Sequence, residues 1–331
     1  PSLRKLEEIL RRIPEDSFVH HYTRNDFSRW LFARTEIMLA SKMRPLKEED
    51  FSSIEDHRDY LISMIQTWRQ RRQKGVVADF HPGDFDPDTE FFKIGKGSMG
   101  GKARGLAFVA NMLQRLPAIH KKFEDVSIFV PQTLVVTTEG FDAFIEENDF
   151  KELAKSDAPD EEIAEIFHSA NFPQWIAEEL KAYLDRVNYP LAVRSSSLLE
   201  DAQFRAYAGL YRTYMLPNNH ADLEVRLEQL INAIKLVYAS TYFRDPKAFS
   251  KRVGHRTEEE KMGVIIQKLV GEKYGNYFYP TISGVAQSHN YYPFAKMKPE
   301  EGIATVALGL GKTVMEGEKA LRFSPQYPQL L

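Results

Sequence analysis

Ala192-Val193-Arg194-Ser195-Ser196-Ser197-Leu198-Leu199-Glu200-Asp201 is the stretch on which the reading of this chain turns. The apolar run Leu191 to Arg194 reads as a buried strand that delivers an arginine and three hydroxyls to a turn. A planar fork of guanidinium donors beside small hydroxyl donors suits a polyphosphate. Taken alone, the same residues also fit a structural Arg–Glu pair closing a serine-rich turn, so the surrounding sequence has to decide.

Upstream lies Gly95-Lys96-Gly97-Ser98-Met99-Gly100-Gly101-Lys102. Glycines let backbone N–H groups crowd around a phosphate, and a lysine adds a point charge. It is not a Walker A loop, because Lys96 stands where the first glycine belongs and Ala103 follows Lys102 in place of Ser or Thr. Gly95, Gly97 and Gly100 satisfy the dinucleotide-binding spacing, which is a weak signal by itself. A protein kinase needs its catalytic loop downstream of the glycines. Here His57-Arg58-Asp59 lies upstream, Met64 holds the required Asn position and no Asp-Phe-Gly occurs. What remains is Gly100-Gly101-Lys102-Ala103 with Gly105, running into a helix with an expected apolar face of Leu106, Val109, Leu113 and Leu116. In its first turn, Lys102 and the helix N-terminal amides could together hold an anion. A flexible turn with a solvated lysine is the alternative.

Two further glycine sites follow in order, Gly209-Leu210-Tyr211-Arg212-Thr213 and Gly309-Leu310-Gly311-Lys312 with Gly317. One glycine loop is weak evidence, whereas an ordered set of four sites, each at a strand or helix end, is stronger.

Around these sites the chain changes character. Apolar residues at Leu3, Leu6, Leu10 and Ile13, then Phe27, Trp30, Leu31 and Met38, then Leu61, Met64, Ile65 and Trp68 predict three amphipathic helices in the first ninety residues. The loop from His81 to Asp88 marks a boundary. Beyond Phe91, β-rich runs alternate with helices, which predicts an α/β or α+β domain. Strands are expected over Ile128 to Thr138, Gly263 to Val270, Ile282 to Ala286 and Ile303 to Leu308, the last three buried, and a helix over Leu223 to Tyr238. The acidic stretch from Glu146 to Glu165 reads as a solvated helix pair with a turn at Pro159.

Composition bounds the function. The 331 residues hold 44 Lys+Arg against 47 Asp+Glu, a net charge of −3 that argues against a dedicated nucleic-acid partner. With 43% hydrophobic residues, no membrane-length apolar run and no signal peptide, the chain reads as soluble and cytoplasmic, without a membrane partner. Zero cysteines exclude disulfides and thiolate sites. The missing initiator Met suggests an excised or processed chain.

These residues carry a resemblance. Gly-Gly-Lys opening a helix, Val130-Pro131, Val136-Thr137-Thr138 with Phe141 and Phe144, the Ala-Val-Arg-Ser-Ser to Glu-Asp turn, Tyr207-Ala208-Gly209, Gln267-Lys268-Leu269-Val270, Gly284-Val285 and Gly309-Leu310-Gly311 recur in order. Residues 91 to 325 so resemble the N-terminal nucleotide-binding domain of the phosphoenolpyruvate synthase and pyruvate phosphate dikinase family.

The resemblance implies an α+β fold, an ATP-grasp-like two-lobed nucleotide-binding domain preceded by a helical N-terminal segment. The segments would be 1–90 helical, 91–215 first lobe, and 216–331 second lobe, truncated at its C-terminal end. It implies ATP and Mg2+ as cofactors and β-phosphate transfer through a histidine on a separate domain to pyruvate, making AMP, phosphoenolpyruvate and phosphate. Lys102 and Arg194 would bind the ATP phosphates and act catalytically, with Gly100 and Gly101 beside them. Ser195 and Ser196 would shape the phosphate turn. Gly209, Thr213, Gly309 and Gly311 would lie near the nucleotide, while Gln267, Lys268, Leu269 and Val270 line the adenine pocket through backbone groups.

Phosphohistidine and pyruvate-binding domains of the same polypeptide would be the partners. No metal ligand is assignable, because the family's Mg-binding segments lie beyond Gly-Leu-Gly, and no histidine here is given a catalytic role. The sequence departs from the family at Leu210, Tyr211, Arg212, Gln287 and Lys312. Alternatives are a dikinase with another acceptor, such as a glucan, or a nucleotide-sensing module that does not catalyse.

Overall fold

The computed structural model describes residues 3–73, 77–84, 89–116, 122, 125–197, 210–253, 260–293, 297–315 and 320–329. It divides into two compact units, Pro1–Gln267 and Lys268–Leu331.

The first unit begins with helices Leu3–Arg12 (α1), Glu15–Thr23 (α2), Asp26–Ala33 (α3), Ile37–Met43 (α4) and Ile54–Gln73 (α5). They close on a core of their own that includes Leu10, Phe18, Leu31, Leu39, Leu61 and Ile65. The single helical face expected from Phe27 to Met38 is split between α3 and α4. Thr35 takes left-handed backbone at φ 61°, and the shift of frame sends Leu39 and Ala40 inward while Met38 stays exposed. Buried Glu7 accepts hydrogen bonds from Arg69 and Gln66, and Arg58 donates to the carbonyls of Leu10 at 2.8 Å and Ile13 at 2.7 Å, capping α1. His57-Arg58-Asp59 is thus a structural element here, with His57 and Arg58 buried.

A six-stranded mixed sheet follows, formed by Ala78–Asp79 (β1), Phe91–Ile94 (β2), Thr133–Val136 (β3), Leu191–Ser197 (β4), Thr213–Leu216 (β5) and Met262–Lys268 (β6). The spatial order is β1-β2-β3-β6-β4-β5. Strands β1, β2 and β3 run parallel, β6 is antiparallel to β3, and β5 to β4. Strand β3 starts only at Thr133, short of the expected Ile128, since the segment carries Pro131, which has no N–H for the ladder. It ends at Val136 because Thr138–Glu147 is already helix (α7).

Alternation along the strands gives the sheet two faces. Phe92, Ile94, Leu134, Val136, Val193, Val264 and Ile266 enter the main core under α7 and helices Asp160–Ser169 (α8), Gln174–Leu184 (α9) and Leu223–Ser240 (α10), followed by Arg244–Val253 (α11). Phe91, Val135 and Ile265 point the other way, onto Ala103 of helix Gly100–Arg115 (α6). Its buried face is not the expected one. Ala103 and Ala110 are buried and Leu106 partly so, whereas Val109 and Leu116 are exposed. Gly100 brings the start of the helix against the Ser196 carbonyl, where Ala103 is fully buried on the sheet and Leu106 packs beside it.

The second unit holds a hairpin of Glu272–Tyr274 (β7) and Tyr277–Tyr279 (β8). An antiparallel sheet joins Ile282–Gln287 (β9), Ile303–Leu308 (β10) and Leu321–Phe323 (β11). Strand β6 is buried as far as Gln267, short of the expected Val270, whereas β9 is mostly exposed and β10 only half-buried, because β9, β10 and β11 form a small sheet that leaves β9 at an edge. The whole is α+β, and no described helix is long and apolar enough to cross a membrane.

Candidate functional site

The glycine loop is pinned from both sides. The Ser98 amide donates to Thr138 Oγ1 at 3.0 Å, the Thr138 amide returns a bond to the Ser98 carbonyl at 2.8 Å, and the Lys96 amide donates to Glu139. A Cβ on Gly97 would lie 2.6 Å from the Glu139 nitrogen, so the loop rests directly on the start of α7. These bonds tie the loop to the first turn of α7.

At its end Gly100 adopts φ +78°, and any Cβ there would run into the Ser196 carbonyl. That close approach lets Ser196, buried on β4, donate to the Met99 carbonyl at 2.7 Å and accept from the Ala103 amide at 3.0 Å. One serine from a distant strand thereby holds the first turn of the helix. The adjoining Ser195 hydroxyl meets Lys102 Nζ at 3.3 Å. Gly100, Gly101, Lys102, Ser195 and Ser196 thus come together around one helix N-terminus, where N–H groups and an ammonium favour an anion.

Beside them a polar row crosses four strands. Thr133 and Gln267 are register partners on β3 and β6, as are Arg194 and Thr213 on β4 and β5. Arg194 Nη1 donates to Gln267 Oε1 at 3.2 Å, and Gln267 Nε2 donates to Thr133 Oγ1 at 3.0 Å. Arg194 is half-buried and Thr213 exposed. The resemblance implies a role for the Gln267 backbone and none for Thr133. Their side-chain bonds depend on which strands are neighbours, and no local pattern carries that.

The other expected residues lie elsewhere in the chain. Lys268, Leu269 and Val270 open the second unit, with Lys268 and Val270 exposed. Within that unit the Gly309 amide donates to the Thr281 carbonyl at 2.9 Å, and Ser283 Oγ donates to the Gly309 carbonyl at 2.6 Å. Gly311 lies at the start of the short helical turn Lys312–Met315. Gly209, with Glu200 and Asp201, falls outside the described residues. Among the described residues no three His, Asp or Glu side chains gather as a metal ion would need.

A helix N-terminus with a lysine, serine hydroxyls and a nearby arginine is the equipment of a protein that handles phosphorylated ligands. The family model described as pyruvate phosphate dikinase, AMP/ATP-binding domain, matches residues 96–330, and the chain belongs to that family. It is also 26% identical over 191 residues to the uncharacterized phosphotransferase YvkC of Bacillus subtilis (strain 168). That match covers 57% of this chain and 20% of the relative, so the chain spans about a fifth of the curated relative's length.

Proposed function

We propose that this chain is the ATP-binding portion of a phosphoenolpyruvate synthase-like phosphotransferase, with an ATP-grasp-like arrangement of lobes over 91–215 and 216–331 behind the helical segment 1–90. The observation that carries this reading is the meeting of Lys102, Ser195 and Ser196 at one helix N-terminus, with Arg194 on the same strand. Phosphoryl transfer is largely positioning and charge neutralisation, so an ammonium, a guanidinium and backbone donors are the parts it needs. In this role Lys102 and Arg194 hold the phosphates, and Gln267 to Val270 line the base through backbone groups. Gly209, Thr213, Gly309 and Gly311 approach the nucleotide closely.

The reaction converts ATP, pyruvate and water into AMP, phosphoenolpyruvate and phosphate. The phosphoryl group travels on a histidine of another domain of a full-length cytoplasmic polypeptide, which also carries the pyruvate site. Mg2+ enters as the phosphates' counter-ion, and no ligand for it is assigned. The family description favours a second reading, in which inorganic phosphate replaces water as acceptor of the γ-phosphate.

Calorimetric titration with MgATP, MgGTP and the Arg194→Ala variant tests the nucleotide site. ATP-selective binding that the variant loses is expected, and no binding by the folded chain overturns the reading. Comparing water with phosphate as acceptor in the full-length protein separates the two reactions.

A further inference from the structure

We propose that Gln267 is a positioning residue that aims Arg194 through its side-chain amide, with Thr133 as its anchor. This rests on the nucleotide reading above. The chemistry of the donors sets every orientation in the row. A guanidinium only donates, so the Gln267 atom 3.2 Å from Arg194 Nη1 is the carbonyl oxygen. The amide nitrogen then faces Thr133 Oγ1 at 3.0 Å. The Pro131 carbonyl only accepts, so Thr133 directs its proton there at 2.8 Å and receives the Gln267 N–H on a lone pair. Turning the amide over would set donor against donor at Arg194 and leave Thr133 without its incoming bond.

The row is also held by its setting. Gln267 is 8% exposed and Thr133 fully buried, so water cannot easily replace either partner. Both lie on paired central strands, and Arg194 reaches them from β4. An exposed arginine loses rotamer freedom whenever it grips a ligand, whereas one already tethered has part of that cost met in the fold. The tether is neutral, which matters for an anionic ligand. An amide occupies one of the five guanidinium donors and leaves the charge intact, whereas a carboxylate in its place would compete with phosphate for the arginine.

The test is calorimetric titration of the chain with MgATP, using Gln267→Met, Gln267→Glu and Thr133→Val, each checked for folding by circular dichroism. Loss of the aiming bond in Gln267→Met is expected to weaken binding about tenfold, and Gln267→Glu more, despite its near-identical shape. In an Arg194→Lys background, which keeps a positive charge, Gln267→Met is expected to add less than about twofold, as for residues acting as one unit. Thr133→Val, with the far anchor gone, is expected to weaken binding about threefold and serves if Gln267→Met does not fold. Wild-type binding of MgATP with unchanged affinity in these variants, or with losses that simply add in the Arg194→Lys background, overturns the positioning role alone. No MgATP binding by the wild-type chain overturns the nucleotide reading, and this role with it.

Discussion

Lys102 Nζ lies 3.3 Å from the hydroxyl of Ser195, although the two residues are 93 positions apart. The contact joins the first turn of a helix to the middle of a strand, and it sets a lysine beside the first of the three serines that follow Arg194. In the proposed role the ammonium shares its donors between Ser195 and a phosphate. Lys102→Met keeps the stem and removes the charge, so MgATP affinity is expected to fall about ten- to a hundredfold with little change in melting temperature. Unchanged affinity would remove Lys102 from the phosphate site.

Two glycines of the same helix should respond in opposite directions. Gly100 has φ +78° with no room for a Cβ against the Ser196 carbonyl, whereas a Cβ on Gly105 meets nothing within 4 Å. Gly100→Ala is therefore expected to cost about 2 kcal/mol or more, since backbone must move. Gly105→Ala is expected to stabilise by about 0.5–1 kcal/mol through helix propensity. Urea unfolding of both variants checks the pair, and equal effects would contradict the close approach.

Ser196 makes two bonds to the start of that helix, one donated to Met99 and one accepted from Ala103. Ser196→Ala removes both bonds and is expected to destabilise by about 1–2 kcal/mol. Because the helix start also presents Lys102, MgATP binding should weaken together with stability. A stable variant with normal binding would show that the serine is not what holds this turn.

Much of this arrangement is legible in the residue order. Gly100-Gly101-Lys102 followed by Ala103 and Leu106 already marks a helix start, and the run Leu191 to Arg194 a strand, because both signals are local. The buried face of the helix is not legible in the same way. Val109 and Leu116 satisfy its periodicity, yet they are exposed, and Ala103 and Ala110 are buried. Strand β9 shows the same limit: Ile282 to Ala286 is apolar enough for an interior strand, but burial depends on what packs over it. The bond from Gln267 to Arg194 needs β6 and β4 to be neighbours, a property of strand order and not of either motif.

The helical segment has a titration of its own. His57 is 2% exposed, stacked on Phe51 at 4.1 Å between ring centres, with Phe18 and Tyr22 edge-on, and its Nε2 has no hydrogen-bond partner among the described residues. Burial pushes its pKa below the ordinary 6.5, against a weaker opposing pull from Asp50. The unfolded chain therefore takes up a proton near pH 6.5 that the folded chain still refuses. Stability from this group is complete above pH 6.5 and falls as the pH drops below it, levelling off only under the depressed folded value. Replacing the imidazole by a ring that cannot titrate, His57→Phe, is expected to flatten that part of the pH profile. Urea midpoints at pH 7.5, 6.0 and 5.0 for both proteins check this. A gap between them that widens towards low pH is the expected result, and parallel profiles would mean that His57 is protonated equally well in both states.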